Sequence, residues 1–264
     1  MPTPAAPSPT AGSLEHAVVI ITGAAHGIGA AYARRLSGDG AAVVVVDLDE
    51  QGAVTLVKDL RRIGRRALAC RADISVDADL AEVVSRTTQE FGTITGLVNN
   101  AAVFSVVPMS RAPFDEITVE EWDLMMRVNV RGTWQACRAV LPTMRAAGYG
   151  KIVNISSGTA LKGSASRIHY VTSKAAILGF TKTLAKEVGP SGVRVNCVAP
   201  GSTLSEENPD EDVVNHRRAR LTDRALPRVQ VPEDLVGAVK FFLSHDSDFI
   251  TGQTLVVDGG SFMH

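Results

Sequence analysis

The segment AVVIITGAAHGIG, residues 17–29, largely determines the fold expected for this chain. Its first part, AVVIIT, is an apolar run of strand length, and Gly23, Gly27 and Gly29 follow it directly. The pattern AAYARRL that comes next is typical of a helix. In a unit of strand, turn and helix, these glycines allow a tight turn and the close approach of a ligand. The N–H groups at the helix start then face a pyrophosphate.

A second apolar run, AAVVVV, ends in Asp47. This is roughly the distance of ~20 residues at which an acidic residue accepts hydrogen bonds from the hydroxyls of an adenosine ribose. A carboxylate at that position would repel a 2′-phosphate, so the sequence predicts NAD as the cofactor. The alternative is that Asp47 merely caps a loop.

Strand and helix patterns alternate along the rest of the chain. Apolar runs of strand length lie near 66–70, 95–99, 151–156, 193–199 and 253–260, and helical patterns lie near 50–63, 76–91, 118–147, 168–188 and 231–243. This alternation predicts an α/β fold with a doubly wound parallel sheet of about seven strands. Ligands bind such sheets at the carboxyl ends of the strands. Gly23, Asp47, Asn99 and Ser157 all fall there.

Length and composition fit one domain. The chain has 264 residues, which a single α/β core can hold. Residues 1–15 begin with MPTPAAPSPTAGS, whose composition predicts a disordered tail and lacks the basic start and apolar core of a secretory signal. We therefore expect a single catalytic domain over residues 16–264.

Charge and cysteine content narrow the possible partners. The formal net charge is −1, and no basic stripe indicates nucleic acid binding. No apolar run approaches the ~18 residues that cross a bilayer, so no membrane partner is expected. Cys70, Cys137 and Cys197 are isolated and lack C-x-x-C spacing. They predict no metal site and a reduced compartment, the cytoplasm.

Tyr170 and Lys174 lie four residues apart in YVTSK, and Ser157 precedes them in VNISS. On a helix the lysine would share a face with the phenol and lower its pKa from the ordinary value of about 10. A hydroxyl such as Ser157 can hold a substrate oxygen while the tyrosine exchanges its proton. These groups can interconvert an alcohol and a carbonyl. Taken alone, Y-x-x-x-K is equally compatible with an amphipathic surface helix.

The ordered motifs after the tail resemble those of the short-chain dehydrogenase/reductases. The matching segments are TGAAHGIG, RADI with Asp73, NNAA at 99–102, RVNV with Asn129, VNISS, YVTSK, and Pro200 with Gly201. The resemblance implies a single-domain Rossmann fold and a catalytic tetrad of Asn129, Ser157, Tyr170 and Lys174. In that tetrad Tyr170 would be the general acid/base and Lys174 would lower its pKa and bind the nicotinamide ribose. Ser157 would orient the substrate oxygen, and Asn129 would hold a water that connects Lys174 to solvent.

The resemblance also implies a set of cofactor-binding residues. They are Gly23, Ala25, His26, Gly27, Ile28, Gly29, Asp47, Leu48, Asp73, Ile74, Asn100, Ala101, Ala102, Tyr170, Lys174, Pro200, Gly201, Thr203 and Ser205. His26 and Leu48 stand where relatives that use NADP carry arginine or lysine, which favours NAD. Ala102 replaces the usual glycine and requires a backbone that avoids positive φ. Ser205 or Thr203 would supply the hydroxyl that binds the nicotinamide carboxamide.

Substrate identity is the least constrained. The segment near 202–231 resembles the substrate lid of the family, and the loop at 103–118 is longer than usual, so it either shapes the entrance or is a tolerated insertion. The candidate substrate residues are Phe104, Ser157, Thr159, Leu161, His169, Ser202 and Leu204. The ending ITGQTLVVDGGSFMH most resembles members that act on aryl or cyclic secondary alcohols.

These expectations define a function with two alternatives. We expect an NAD-dependent enzyme that interconverts a small secondary alcohol and a ketone. The alternatives are an NADPH-dependent 3-oxoacyl thioester reductase, against which Asp47 argues, and a non-catalytic dinucleotide-binding protein, against which Tyr170 and Lys174 argue. The helical regions 118–147 and 168–188 carry apolar residues on more than one face. In relatives they pair across a two-fold axis, so a homotetramer is expected.

Overall fold

Seven parallel strands form one sheet in the structure of the protein, a computed structural model that describes residues 13–104, 109–206, 209–218 and 221–263. The strands are β1 (Val18–Thr22), β2 (Ala42–Asp47), β3 (Ala67–Arg71), β4 (Gly96–Asn99), β5 (Gly150–Ile155), β6 (Val193–Pro200) and β7 (Thr254–Val257). Their order across the sheet is β3-β2-β1-β4-β5-β6-β7. The predicted doubly wound parallel sheet of a Rossmann fold is confirmed.

Helices cover both faces of the sheet. They are α1 (Gly27–Gly38), α2 (Glu50–Arg62), α3 (Asp77–Phe91), α4 (Val119–Met126), α5 (Thr133–Ala147), α6 (Thr159–Lys162), α7 (Ile168–Val188), α8 (Glu211–Arg218) and α9 (Glu233–Leu243). Alternate strand residues enter opposite layers: Val19 and Ile21 pack with α1, α2 and α9, whereas Ile20 packs with α3, α5 and α7. This follows from the two-residue period of a strand. Because both faces are buried, the strands are apolar along their whole length.

The strand order reverses at β1, with β2 and β3 on one side and β4 to β7 on the other. Such a reversal opens a crevice at the carboxyl ends of the strands. The ends lie in register there, with Thr22 opposite Val46 and Asn99 opposite Asn154. The residues that follow these strands therefore meet at one edge of the sheet.

The single helix predicted at 118–147 is interrupted. It begins as expected, with a capping box between Thr118 and Glu121, but α4 ends at Met126 and a π-helical turn occupies Arg127–Gly132 before α5. A Cβ at Gly132 would lie 2.8 Å from the Ile74 side chain, so this turn packs tightly against the segment after β3. Turns of this type are common at functional sites, and hydrophobic periodicity does not reveal them.

The lid segment near 202–231 contains α8 and a 3-10 turn at Leu221–Asp223, neither of which was predicted. Its ends are tied together, because the Leu204 N–H donates to the Gln230 carbonyl at 2.8 Å. In the loop at 103–118, residues 105–108 lie outside the described residues.

The boundary expected between tail and domain lies too late in the chain. Residues 1–12 are outside the described residues. Leu14, however, is buried, and its N–H donates to the Asp39 carbonyl at 3.1 Å. The apolar contact of this one residue places the start of the folded part before residue 16.

Candidate active site

The turn between β1 and α1 is formed by backbone segments in close contact. Gly23 has a φ of +63°, and a Cβ at Gly29 would lie 2.1 Å from the Gly23 carbonyl oxygen. Since a side chain at position 29 would collide with backbone, only glycine fits there. Helix α1 begins at Gly27, so the N–H groups of its first turn lie at the crevice. This arrangement fits a pyrophosphate.

Asp47 ends β2 beside this turn and is 9% exposed. Its Oδ2 accepts a hydrogen bond from the Ala25 N–H at 2.9 Å, and its Oδ1 accepts one from the Asp49 N–H at 3.1 Å. These bonds fix the carboxylate against the glycine turn. A carboxylate has about four acceptor positions, so the group can also accept ribose hydroxyls.

A second carboxylate lies close to Asp47. His26 Nε2 is 2.6 Å from Asp49 Oδ2. A backbone hydrogen bond from Gly52, and then the bond with His26, hold the pKa of Asp49 below its ordinary value. Leu48, the other position at issue for NADP, is an exposed apolar side chain. Negative charge at Asp47 and Asp49 makes this region unfavourable for an added phosphate.

Ser157, Tyr170 and Lys174 come together beyond the end of β5. Ser157 follows that strand, and the other two share a face of α7. The Ser156 hydroxyl donates to the Lys174 carbonyl at 2.7 Å, which ties the helix to the strand end. Lys174 Nζ donates to the Ile155 carbonyl at 2.9 Å and lies 5.9 Å from the centre of the Tyr170 ring.

Burial dominates the pKa values of these groups. It raises the pKa of Tyr170, while a hydrogen bond with Ser157 and the charge of Arg167 oppose the rise. Burial lowers the pKa of Lys174 to about 8. Burial therefore outweighs the lowering effect of the Arg167 charge on the Tyr170 pKa. The role of Lys174 in lowering the Tyr170 pKa stays a prediction.

Asn129 lies behind these groups rather than among them. Its side chain is buried, its Oδ1 accepts a hydrogen bond from the Val103 N–H at 2.8 Å, and its Nδ2 donates to Ser173 Oγ at 3.0 Å. Ser173 Oγ in turn donates to the Tyr170 carbonyl at 2.8 Å. Asn129 therefore connects the π-helical turn to the first turn of α7. Its role in holding a water stays a prediction.

A cavity of about 830 Å³ joins the glycine turn to these polar groups. That volume is typical of cofactor and small-molecule sites. We call the part lined by Gly23, Asp47, Asp73 and Asn100 the glycine-turn end. The part lined by Phe104, Thr159, Lys162, Arg167 and Arg224 is the lid end.

Most of the predicted site residues line this cavity. They are Gly23, His26, Gly27, Ile28, Gly29, Asp47, Leu48, Asp73, Ile74, Asn100, Ala101, Ala102, Phe104, Ser157, Thr159, Tyr170, Lys174, Pro200, Gly201, Ser202, Thr203 and Ser205. Ala102 is tolerated because its φ is not positive; among the described residues, Ser166 is the non-glycine residue with a positive φ. Thr203 and Ser205 both line the cavity, and their contact with a carboxamide stays a prediction.

Five predicted residues are not in the lining. His169 is buried and points about 100° around α7 from Tyr170, and burial lowers its pKa while Glu121 opposes that shift. Leu161 lies on α6 outside the lining, and Leu204 faces a separate groove with Pro232. The structure therefore does not bring these three side chains into the cavity with the others. The remaining two residues lie next to lining residues. The Ala25 N–H donates to Asp47, and Asn129 Nδ2 donates to Ser173 Oγ on α7.

The lining also includes side chains that sequence reasoning missed. They include Leu124, Arg127, Lys162, Ser164, Arg167, Glu206, Arg224, Asp258 and Ser261. Arg167 could have been found, because it precedes Tyr170 by one helical turn. Arg224 and Asp258 reach the cavity through the lid and the end of β7, and no short-range pattern marks them.

No helix among the described residues is long and apolar enough to cross a membrane. No group of three or more His, Cys, Asp or Glu side chains among them could hold a metal ion.

The fold and the cavity define a nicotinamide dinucleotide oxidoreductase with a doubly wound sheet. Comparison with known proteins gives the family. The model described as "Enoyl-(Acyl carrier protein) reductase" matches residues 23–261. The chain belongs to the short-chain dehydrogenase/reductase family, and the sequence-based assignment is confirmed.

The chain is similar to several curated members of this family over most of its length. It is 38% identical to the short-chain reductase protein NovJ of Streptomyces niveus, over 93% of this chain and 94% of the relative. It is 37% identical to cis-4-hydroxycyclohexanecarboxylate dehydrogenase of Sinomonas cyclohexanicum, over 92% and 95%. It is 33% identical to the 3-oxoacyl-[acyl-carrier-protein] reductase FabG of Thermotoga maritima, over 94% and 98%.

Proposed function

We propose that this protein is an NAD-dependent oxidoreductase that interconverts a secondary alcohol and a ketone. The observation that carries the proposal is one continuous cavity with the Asp47 carboxylate at the glycine-turn end and Ser157, Tyr170 and Lys174 beyond it. Asp47 recognises a ribose with a free 2′-hydroxyl. Ser157, Tyr170 and Lys174 together exchange a proton with an alcohol or carbonyl oxygen.

The preference for NAD rests on charge. Asp47 is held by the Ala25 and Asp49 N–H groups and cannot turn away without losing both bonds. A 2′-phosphate beside it would bring further negative charge against two carboxylates, Asp47 and Asp49. Binding of NADP would therefore require the rearrangement of a well-anchored side chain.

The proton chemistry rests on the polar groups of the cavity. A bound nicotinamide ring supplies the hydride acceptor or donor. In alcohol oxidation the Tyr170 phenolate accepts the hydroxyl proton, and in ketone reduction the phenol donates it. Ser157 Oγ, which lies 2.9 Å from Thr159 Oγ1, holds the substrate oxygen. Lys174, with a pKa of about 8, can exchange a proton near neutral pH.

The similarity to FabG of Thermotoga maritima supports a second candidate, a 3-oxoacyl thioester reductase that uses NADPH. Asp47 argues against it for the reason just given. The similarity to an enzyme whose name describes a ring alcohol supports aryl or cyclic secondary alcohols instead.

We also propose a homotetramer in the cytoplasm. On the long helices, Trp134 of α5 and Ile168 of α7 remain 45% and 42% exposed, which favours contacts between subunits through these helices. The three cysteines are buried and unbridged, which supports a reduced compartment. Light scattering at micromolar concentration tests the assembly, and a monomeric mass would contradict it.

The test of the function is a panel of secondary alcohols and ketones assayed with NAD and with NADP, by the absorbance of the reduced nicotinamide. The panel includes 1-phenylethanol, cyclohexanol and acetoacetyl coenzyme A. Turnover of a ring alcohol with NAD is the expected result. Reduction of the thioester with NADPH, without activity on the alcohols, would establish the second candidate.

A further inference from the structure

We propose that Arg167 is a specificity-determining residue that binds a carboxylate on the substrate. The preferred alcohols or ketones would then carry an anionic group on a ring, away from the reacting carbon. This inference rests on the proposed alcohol and ketone chemistry and defines the substrate class for the same cavity.

Arg167 has a fixed position at the lid end of the cavity. It immediately precedes α7, and its carbonyl accepts a hydrogen bond from the Val171 N–H at 2.9 Å. The preceding residue, Ser166, has a φ of +59°, a conformation that non-glycine residues rarely adopt. The side chain of Arg167 is 9% exposed and lines the cavity one helical turn before Tyr170. The chain thus places a buried cation beside the reacting phenol.

The chemistry of this side chain suits a carboxylate. Its guanidinium is always charged, and its Nε donates to Ser164 Oγ at 3.1 Å. Nη2 also contacts Ser164 Oγ, so this hydroxyl helps to orient the guanidinium plane. A guanidinium presents parallel N–H groups that bind a carboxylate in a bidentate way. A lysine would provide the charge without that geometry.

The neighbouring charges favour an anion. Lys162 Nζ bonds Ser261 Oγ at 2.7 Å, and Arg224 Nη2 donates to the Ser202 carbonyl at 2.7 Å. Two acidic residues, Glu206 and Asp258, also line this part of the cavity. Asp258 Oδ1 accepts hydrogen bonds from the N–H groups of residues 260 and 261, and Glu206 accepts one from the N–H of residue 205. The lining side chains named here thus comprise three cations, Lys162, Arg167 and Arg224, and two carboxylates that accept backbone N–H groups.

The lining near Phe104 suits a ring. The Phe104 ring lies 5.6 Å from the Tyr170 ring at an angle of 43°, and both belong to an apolar cluster with Val103 and Met125. An apolar ring held against Phe104 would place its alcohol carbon near Tyr170. A substituent on that ring would then be directed to other parts of the lid end, where Arg167 lies.

The kinetic test uses two alcohols that differ in charge, 1-(4-carboxyphenyl)ethanol and 1-phenylethanol, at fixed ionic strength with NAD. Arg167→Gln should lower kcat/KM for the carboxylated alcohol by about tenfold to a hundredfold, as expected for the loss of a charge-assisted hydrogen bond. The value for 1-phenylethanol should stay within about threefold. Arg167→Lys should recover part of the loss. Arg62→Gln is the matched control, because Arg62 is exposed on α2 and pairs with Asp59 outside the cavity lining.

A calorimetric test does not depend on turnover. Wild type should bind 4-acetylbenzoate more tightly than acetophenone, and Arg167→Gln should weaken only the first ligand. Equal losses for both ligands, or no loss for either, would overturn the proposal. If Arg167→Gln instead impaired acetoacetyl coenzyme A alone, the anion would be a carrier phosphate and the carboxylate assignment would be wrong. If wild type oxidised no secondary alcohol, the proposed function would fail while the calorimetry still decided the role of Arg167.

Discussion

The two ends of the cavity are built in different ways. The glycine-turn end consists of backbone and short side chains at the ends of adjacent strands, and the sheet fixes their positions. The lid end consists of side chains from separate segments, namely Phe104 after β4, Thr159 and Lys162 of α6, Arg167 before α7 and Arg224 after the 3-10 turn. The contrast teaches that the cofactor and the proton chemistry are set by the sheet, whereas substrate choice is set by the loops.

The largest expected effect is a loss of turnover when the Tyr170 hydroxyl, which lies between the two ends of the cavity, is removed. Tyr170→Phe should lower turnover by about 10² to 10⁴, because general acid/base catalysis contributes on this order. The affinity for NADH should stay nearly unchanged, because the glycine turn and Asp47 are untouched. Turnover is measured by steady-state kinetics and affinity by NADH fluorescence.

The control is Tyr149→Phe, which changes the same group on a ring stacked near Arg194 outside the cavity lining. It should retain wild-type turnover. A Tyr170→Phe enzyme within a few fold of wild type would remove Tyr170 from its assigned role.

A smaller effect is expected on NADH affinity when a methyl group is added at the start of α1 rather than at its end. Gly29→Ala places a Cβ 2.1 Å from the Gly23 carbonyl oxygen, so the backbone must shift. The backbone N–H groups that face the pyrophosphate would move with it, so we expect a clear loss of NADH affinity. Gly38→Ala in the same helix meets nothing within 4 Å and should bind NADH normally. Equal affinities for the two variants would show that the close turn does not hold the cofactor.

The smallest effect concerns stability. Burial lowers the pKa of Lys174 from its ordinary 10.5 to about 8, so the folded protein at pH 7 carries a buried charge at a cost. Lys174→Met removes the charge but also the bond to the Ile155 carbonyl, and a net gain of roughly 1–2 kcal/mol remains. The thermal midpoint at pH 7 should rise by about 2–8 °C, although turnover is lost.

The buried Lys174 charge also makes the stability of the folded protein depend on pH. Between pH 8 and 10.5 the unfolded chain holds the Lys174 proton more strongly than the folded one, so wild-type stability rises with pH in this window. The advantage of Lys174→Met should therefore shrink as the pH increases. Calorimetry of both proteins at several pH values measures it. An advantage that grew from pH 8 to 10 would contradict the buried charge.

The same division explains what the sequence could predict. The apolar runs before Gly23, Asp47 and Ser157 predict where three strands end. A parallel sheet brings such strand ends together. The π-helical turn around Asn129 was not predictable, because it depends on packing of Gly132 against Ile74. His169 is the sequence neighbour of Tyr170 but does not line the cavity, since neighbours on a helix point about 100° apart.

The lid end shows the opposite situation. Arg224 reaches the cavity across 22 residues of lid by donating to the Ser202 carbonyl, and nothing local in the sequence indicates that contact. Arg167 had a readable signal in its spacing from Tyr170, but its burial and its bond to Ser164 are visible only in three dimensions.

The most direct test of the account is the ratio of kcat/KM with NAD to that with NADP, for wild type, Asp47→Ser and the double variant Asp47→Ser with Leu48→Arg, at fixed ionic strength. Wild type should favour NAD by roughly tenfold to a hundredfold, since a charge-assisted hydrogen bond is worth about 1.5–3 kcal/mol. Asp47→Ser should relax the exclusion of NADP, and the added guanidinium should bind the 2′-phosphate and turn the preference towards NADP. A wild type that used both cofactors equally, or a double variant that kept the wild-type ratio, would show that Asp47 does not select the cofactor.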